Sequence, residues 1–213
     1  MRDLEIRGAG NVLGAEQHGH MQAVGYDLYC KLLNHAVSAL RGQSPETDGE
    51  EFTTSVEADA DAFIPSSYIR SEEQKLDIYK RIASVETQDD YLDMQDELMD
   101  RFGPIPASVN NLLLIARIRS TAHRIFVKEI TINKKESKLV LDAAAQLNVA
   151  EIPAFIFSYR GRLSIKTGEN VTFTLRDGSG GTDGKSALDE VLYLVVKMQE
   201  KLAPKSAENA ENP

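Results

Sequence analysis

The sequence predicts an α+β protein, in which a helical and loop-containing N-terminal segment precedes a compact domain of helices packed on a small, mostly antiparallel sheet. Two observations predict this class. Apolar residues recur at helical spacing between residues 71 and 125, whereas residues 130–176 contain short alternating segments that are typical of strands. A third observation is a clear amphipathic helix over residues 186–202, which adds a helix after the strands.

The first 50 residues predict a segment that is separate from the rest. Glycine interrupts residues 1–20 four times, at Gly8, Gly10, Gly14 and Gly19. A helical pattern then covers Met21 to Arg41, with Leu28, Leu32, Ala36 and Leu40 at four-residue spacing. Residues 42–50 (GQSPETDGE) are polar and rich in helix breakers. We therefore expect an N-terminal segment over residues 1–41 and a linker over residues 42–50.

Three helices are predicted next. Ser71 is suited to an N-cap and is followed by two acidic residues, which are favourable in a first turn. Thr87 begins a second helix that Gly103 and Pro104 end, and Pro106 opens a third helix that runs to about Ile125. The apolar residues expected to face inward from the first two helices are Leu76, Tyr79, Ile82, Ala83, Tyr91, Met94, Leu98 and Phe102.

The predicted strands are Phe52–Ala58, Ile130–Asn133, Lys138–Ala143, Leu163–Lys166 and Val171–Arg176. The apolar run from Ile152 to Tyr159 suits a short helix, although a strand is the open alternative. Together these elements predict one domain over residues 51–203. The polar residues 204–213 are expected to form a disordered tail.

Charge is distributed unevenly along the chain, whose net charge is −9. Residues 51–102 contain 14 acidic and 5 basic residues, so this stretch should repel DNA and suit a basic protein partner. Residues 103–213 contain 15 basic and 12 acidic residues. The alternative function is therefore an autonomous nucleic-acid-binding module that uses the basic stretch 117–138, namely Arg117, Arg119, Arg124, Lys128, Lys134, Lys135 and Lys138.

The compartment expected from the sequence is the cytoplasm. The N-terminus has no apolar signal region, and no run of 18 apolar residues offers a membrane span. Cys30 is the single cysteine, so an internal disulfide is excluded and a reducing environment is suitable.

Two patterns resemble catalytic or ligand sites but do not meet the chemical requirements. Residues 178–186 (GSGGTDGKS) lie between a strand and a helix, as a phosphate-binding loop does, but the motif needs glycine where Ser179 stands. His18 and His20 stand two residues apart, so one helix face cannot present both to a metal with Cys30 or His35. We expect no catalytic residue, metal or cofactor in this chain.

The stretch Arg2 to Leu33 contains a possible polar contact pair. Glycines flank both Arg7 and Gln17, so a hairpin and a loop could bring the guanidinium and the amide side by side. A glycine-rich connector in which Arg7 pairs with Asp3 or Glu5 explains the same residues. The chemistry alone favours the connector.

The motif DLEIRGAG, followed by LG and EQ, resembles the segment after the last helicase motif of RecG branch-migration helicases and transcription-repair coupling factors. In those families of helicase superfamily 2, this motif couples ATP-driven closure of the motor lobes to stepping along double-stranded DNA. The family's functional arginine and glutamine fall on Arg7 and Gln17. The continuation VGYDLY, residues 24–29, is similar to the coupling factors rather than to RecG.

A second resemblance extends from Phe63 to Pro106. The segments IP…YI, DIYKRIA and ELMDRFGP resemble the C-terminal domain of the coupling factors, which act in nucleotide excision repair of transcribed DNA. The resemblance implies that Glu97, Asp100 and Arg101 contact the protein's own UvrB-like N-terminal module. This contact would mask UvrA recruitment until the translocase engages stalled RNA polymerase. ATP and magnesium would bind the motor lobes of the longer parent protein.

Helical geometry places the same three residues together. Glu97, Asp100 and Arg101 lie at i, i+3 and i+4, so they share one face of the second predicted helix. The inward-facing apolar residues of that helix lie about 110° away around its axis. We therefore expect the three charged side chains to be exposed. The alternative is an ordinary solvated face with an intrahelical Glu97–Arg101 ion pair.

Overall fold

Five α-helices and a five-stranded sheet make up the part of the chain described by the computed structural model, residues 52–176 and 186–203. The strands are β1 (Ser55–Ala58), β2 (Val127–Ile132), β3 (Glu136–Leu141), β4 (Leu163–Lys166) and β5 (Thr172–Arg176). The helices are α1 (Glu72–Ala83), α2 (Gln88–Phe102), α3 (Ala107–Arg124), α4 (Ile152–Ser158) and α5 (Ala187–Leu202), with a 3₁₀ turn at Val149–Glu151 before α4. The predicted α+β class is confirmed.

The predicted helix limits are confirmed. They could be predicted because hydrogen bonds between neighbouring residues determine where these helices begin. Ser71 caps α1, and its hydroxyl accepts a hydrogen bond from the backbone N–H of Gln74. Ser186 caps α5: its hydroxyl accepts a hydrogen bond from the Asp189 N–H, and the Asp189 carboxylate accepts one from the Ser186 N–H, which completes a capping box. Pro106 is the N-cap residue of α3. Proline has no backbone N–H, but a residue at this position donates no hydrogen bond within the helix, so none is lost.

The strand order is β1-β2-β3-β5-β4, and only the pairing of β1 with β2 is parallel. Strand β1 precedes three helices in the chain and still lies beside β2. The helical segment between β1 and β2 is long enough for the crossover that a parallel pairing requires. All other neighbouring strands pair antiparallel. The sheet is therefore mixed but mostly antiparallel, as predicted.

The core lies between one face of the sheet and the helices α3 and α5. A row of apolar side chains crosses the sheet in register through Val56, Ile130, Leu139 and Phe173, all of which are buried. Helices α3 and α5 pack against each other, and both contact β2. The neighbouring row, through Glu57, Thr131, Lys138, Thr174 and Ser164, points to the opposite, more accessible face.

Four details differ from the sequence predictions. Strand β2 begins at Val127 rather than Ile130, because a bulge between Val127 and Glu129 interrupts the alternation. Strand β3 begins and ends two residues earlier than predicted. Strand β1 begins at Ser55 rather than Phe52. Residues 152–158 form the predicted helix and not the alternative strand. On α1, Ile78 is buried, whereas Leu76 and Ala83 are half-buried.

Several predicted segments lie outside the described residues. They are the N-terminal segment 1–41 with Arg7 and Gln17, the linker 42–50, the glycine-rich residues 178–185 and the tail 204–213. The predicted domain limits and the roles of Arg7 and Gln17 therefore stay predictions. Within the described ranges, no helix is long and apolar enough to cross a lipid bilayer.

Candidate interdomain contact site

Helix α2 presents the predicted contact residues, and both of its ends are held. At the N-terminus, the Thr87 hydroxyl accepts a hydrogen bond from the Asp90 N–H at 3.1 Å. The Asp90 carboxylate accepts from the N–H groups of Thr87 and Glu86, and these bonds, that of Thr87 first, hold the pKa of Asp90 below its usual range. At the C-terminus, Gly103 has φ +85° and ends the helix.

The opposite face of α2 anchors the helix to the domain. Met94 and Leu98 are buried, while Tyr91 and Phe102 are half-buried at the edges of the same face. The hydroxyl of Tyr68 donates to the carbonyl oxygens of Leu98 and Gly103, at 3.0 and 3.2 Å. This loop residue therefore connects the last turn of α2 to the segment before α1.

Glu97, Asp100 and Arg101 lie on the accessible side of α2, as the periodicity predicts. Asp100 and Arg101 are exposed. Arg101 donates to a Glu97 carboxylate oxygen at 2.6 Å, so the intrahelical pair considered from spacing is present. The expectation of full exposure is wrong for Glu97, whose side chain retains only 26% of its accessible surface.

Arg81 of α1 is the reason that Glu97 is covered. Its two terminal nitrogens donate to the two carboxylate oxygens of Glu97, which is the paired geometry that guanidinium and carboxylate groups favour. The contact joins α1 to α2 across 16 residues of sequence. The Glu97 carboxylate therefore accepts three hydrogen bonds from two arginines.

These two guanidinium groups favour the ionised form of Glu97. The hydrogen bonds from Arg81, followed by those from Arg101, lower the pKa of Glu97 from its ordinary value of 4.5 to about 2. The same contact raises the pKa of Arg81 above its ordinary value. Two cations and one anion leave this cluster with one net positive charge, beside the carboxylate of Asp100.

Arg101 and Asp100 differ in how they are held. The Arg101 guanidinium lies over the ring of Phe102, 5.0 Å from its centroid. The Phe102 ring in turn packs against the ring of Tyr68, with 5.8 Å between the two ring centroids. Asp100 has no hydrogen-bond or ion-pair partner among residues 52–176 and 186–203. The three predicted residues thus comprise one carboxylate held by two arginines, one arginine supported by an aromatic ring, and one exposed carboxylate.

The basic residues of the alternative nucleic-acid surface are mostly engaged within the domain. Arg117 donates to the Glu86 carbonyl, Arg119 donates to the Ala83 carbonyl, and Arg124 pairs with the Glu86 carboxylate at 3.7 Å. These contacts connect α3 to the turn between α1 and α2. The lysine contacts are Lys128 with Asn170, Lys134 with Asp59 and Lys138 with Glu136.

Metal ligation was considered from sequence for His18, His20, Cys30 and His35, which lie outside the described residues. Within the described part, no group of three or more His, Cys, Asp or Glu side chains could hold a metal ion. The charged residues on α2 form a surface cluster of Glu97 with Arg81 and Arg101, beside the exposed Asp100.

Comparison with known proteins identifies the family. A family model described as the TRCF domain matches residues 58–152, which include α1 and α2. A transcription-repair-coupling factor of Staphylococcus epidermidis is 37% identical over 213 residues, which cover 96% of this chain and 17% of that protein. The chain belongs to the transcription-repair coupling factor family. The resemblance found from the sequence motifs is confirmed.

A second relative supports the family assignment, and a solved structure shows the same fold. The factor of Bacillus subtilis is 40% identical over 149 residues, which cover 70% of this chain and 12% of that protein. The crystal structure of a C-terminal domain of transcription-repair coupling factor has a similar fold, with a TM-score of 0.54 and 20% identity over 69% of this chain and 96% of that one. The chain thus spans less than a fifth of the length of these curated relatives.

Arg81 is the member of the cluster that sequence reasoning missed. It stands in the segment DIYKRIA, which contributed to the family resemblance, but it lies on a different helix from Glu97. Helical spacing relates residues within one helix and gives no distance between two helices. The available signal was a basic residue in the last turn of α1, where it is also favourable for the helix dipole.

Proposed function

We propose that this chain is the C-terminal regulatory module of a transcription-repair coupling factor and that it binds the UvrB-like N-terminal module of its own full-length protein. Glu97, Asp100 and Arg101 make this contact. Bound in this way, the chain covers the surface that recruits UvrA, until the motor engages stalled RNA polymerase. Two findings support the proposal: the chain belongs to the coupling factor family, and it shares its fold with a solved C-terminal domain.

The observation that carries the proposal is the accessible charged side of α2. Its apolar side is anchored in the domain, so the charged residues are held in place on a rigid helix. Contacts between exposed charges are individually weak and are screened by salt. A contact of this kind suits an autoinhibitory clamp, because the clamp must open when the motor is engaged.

The charge of the domain favours a basic partner surface. The 14 acidic residues within 51–102 include Asp89, Asp93, Asp96 and Asp100, which are all exposed on α2. Complementary charge steers association and suppresses wrong partners. We infer that the N-terminal module presents arginine or lysine side chains to this helix.

Arg7 and Gln17 belong to a second part of the proposal. We infer that they contribute to the motif that couples ATP hydrolysis, which requires magnesium in the motor lobes, to movement along double-stranded DNA. In the full-length protein, Arg7→Ala should slow translocation more than it slows ATP hydrolysis. A triplex-displacement assay beside an ATPase assay measures the two rates, and equal losses in both would contradict this role.

The regulatory contact is tested by binding the chain to the isolated N-terminal module. Glu97→Ala with Asp100→Ala should weaken binding on the order of tenfold, because two negative charges are lost from the proposed interface. Isothermal titration calorimetry at low and at physiological salt measures the change. The same variant should compete less well with UvrA for the module.

A matched control removes two negative charges elsewhere. Glu57 and Glu169 are exposed and lie off α2, in β1 and in the turn between β4 and β5. Glu57→Ala with Glu169→Ala should leave the affinity nearly unchanged. If the control and the Glu97 variant lose affinity equally, net charge explains the effect and the assigned contact is wrong.

A further inference from the structure

A shallow depression of about 210 Å³ lies beside Glu97, between α1 and α2. Three carboxylates line it, those of Asp90, Asp93 and Glu97. The other lining residues are Arg81, Ser84, Val85 and Met94, so Arg81 is the one cation among the described residues that line the depression. The three carboxylates suit the side chain of a basic residue from a partner. Arg81 of the chain itself already contacts one of them, the carboxylate of Glu97.

Arg81 leaves little acceptor capacity on Glu97. A carboxylate offers about four lone-pair sites to donors. Arg81 uses one site on each oxygen, and Arg101 uses a second site on Oε1. A partner guanidinium therefore cannot form a paired contact with Glu97 while Arg81 remains bound to it.

Arg81 is also able to leave. Its side chain retains 42% of its accessible surface, so moving the guanidinium into water requires little rearrangement of the core. It comes from α1, whereas Arg101 is adjacent to Glu97 on the same helix face. Displacement of Arg81 would free one site on each carboxylate oxygen, which is what a partner guanidinium needs for a paired contact.

We propose that Arg81 is an internal competitor for the Glu97 carboxylate, which a basic residue of the partner must displace when the interdomain contact forms. This inference rests on the proposed regulatory function and adds a residue that determines its strength and specificity. Competition keeps the contact weak enough to open. It also selects partners that present a cation at the depression, because a neutral side chain cannot replace Arg81.

The test is the affinity of the chain for the isolated N-terminal module after Arg81→Ala. We expect binding to become roughly two- to fivefold tighter at low salt, because Glu97 no longer has to exchange an internal guanidinium for the partner's. Unchanged or weaker binding would overturn the proposal, and weaker binding would indicate that Arg81 instead positions Glu97 for the partner.

Lys80→Ala is the matched control. Lys80 is the exposed neighbour of Arg81 on α1, so its loss changes the net charge equally without touching Glu97. The Arg81 variant should bind more tightly than the Lys80 variant. Equal gains in the two variants would mean that overall charge is responsible, which would also overturn the proposal.

A double variant and a titration test the mechanism directly. In a Glu97→Ala background, Arg81→Ala should give no gain, because the competition has been removed. In the free chain, carbon-13 NMR should show that Arg81→Ala raises the pKa of the Glu97 carboxyl. An unchanged pKa would show that Arg81 does not hold Glu97.

The two proposals fail in different ways. Failure of the unaltered chain to bind the module would contradict the proposed function itself. Binding of the unaltered chain without a gain for Arg81→Ala would contradict only the role of Arg81 as a competitor.

Discussion

At the scale of the residue, Glu97 couples the charge of one side chain to the stability of the domain. Its folded-state pKa of about 2 lies below the ordinary value of 4.5. The unfolded state therefore takes up a proton at a higher pH than the folded state does. The stabilisation by Glu97 is fully present above about pH 4.5 and is lost as the pH falls towards 2.

We expect the free energy of unfolding to fall more steeply between pH 5 and pH 2 for the unaltered chain than for Glu97→Gln. The arginine side chains retain 42% and 40% of their accessible surface, so water screens the cluster and the difference should be about 1 kcal/mol. Urea unfolding at several pH values measures it.

Glu169→Gln is the control for the pH experiment. Glu169 is exposed in the turn between β4 and β5 and makes no ion pair among the described residues. This variant should follow the pH dependence of the unaltered chain. If Glu97→Gln follows it as well, the carboxylate of Glu97 is not held by the two arginines in the folded state.

At the scale of the element, the C-terminal end of α2 depends on the backbone conformation of one glycine. Gly103 has φ +85° and ψ −159°, a combination that is essentially restricted to glycine. A Cβ placed on Gly103 would meet no atom within 4 Å. The cost of a side chain at this position is therefore backbone strain and not a steric clash with the surroundings.

Gly103→Ala should lower the free energy of unfolding by about 1–3 kcal/mol. Gly168 is the matched control, because a Cβ there also meets nothing within 4 Å and its φ is not positive. Gly168→Ala should be neutral or slightly stabilising, since alanine restricts the unfolded chain. Equal effects of the two substitutions in urea unfolding would contradict the assigned strain.

Elements were predictable from sequence where local groups define them. Ser71, Thr87 and Ser186 begin their helices because each hydroxyl accepts a backbone N–H of the first turn. The start of β2 was not predictable, because a bulge breaks the alternation of apolar residues. Residue 126 is another such position, since Phe126 adopts φ +56° after α3 where glycine is usual.

At the scale of the whole molecule, the contacts of α3 determine the use of the basic residues. Arg117, Arg119 and Arg124 contact the turn between α1 and α2, so their donors support the helix that presents the charged site. Burial also lowers the pKa of Arg117. The same residues are consequently less available to phosphate groups than their spacing in the sequence suggests.

We expect the 213-residue chain to show no saturable binding to a DNA duplex at physiological salt, because its net charge is −9 and these arginines are engaged. Fluorescence anisotropy with a labelled duplex over a range of salt concentrations checks this. Salt-dependent binding that is lost on Lys134→Glu with Lys135→Glu would instead support the nucleic-acid-binding alternative.

The sequence by itself determined the class of the domain, the limits of its main helices and the shared face of Glu97, Asp100 and Arg101. These features depend on hydrogen bonds and spacings within a few residues. The tertiary structure alone decided that Arg81 holds Glu97 and that the arginines of α3 are engaged. Both contacts join helices whose separation in space depends on how their apolar faces pack against the common core.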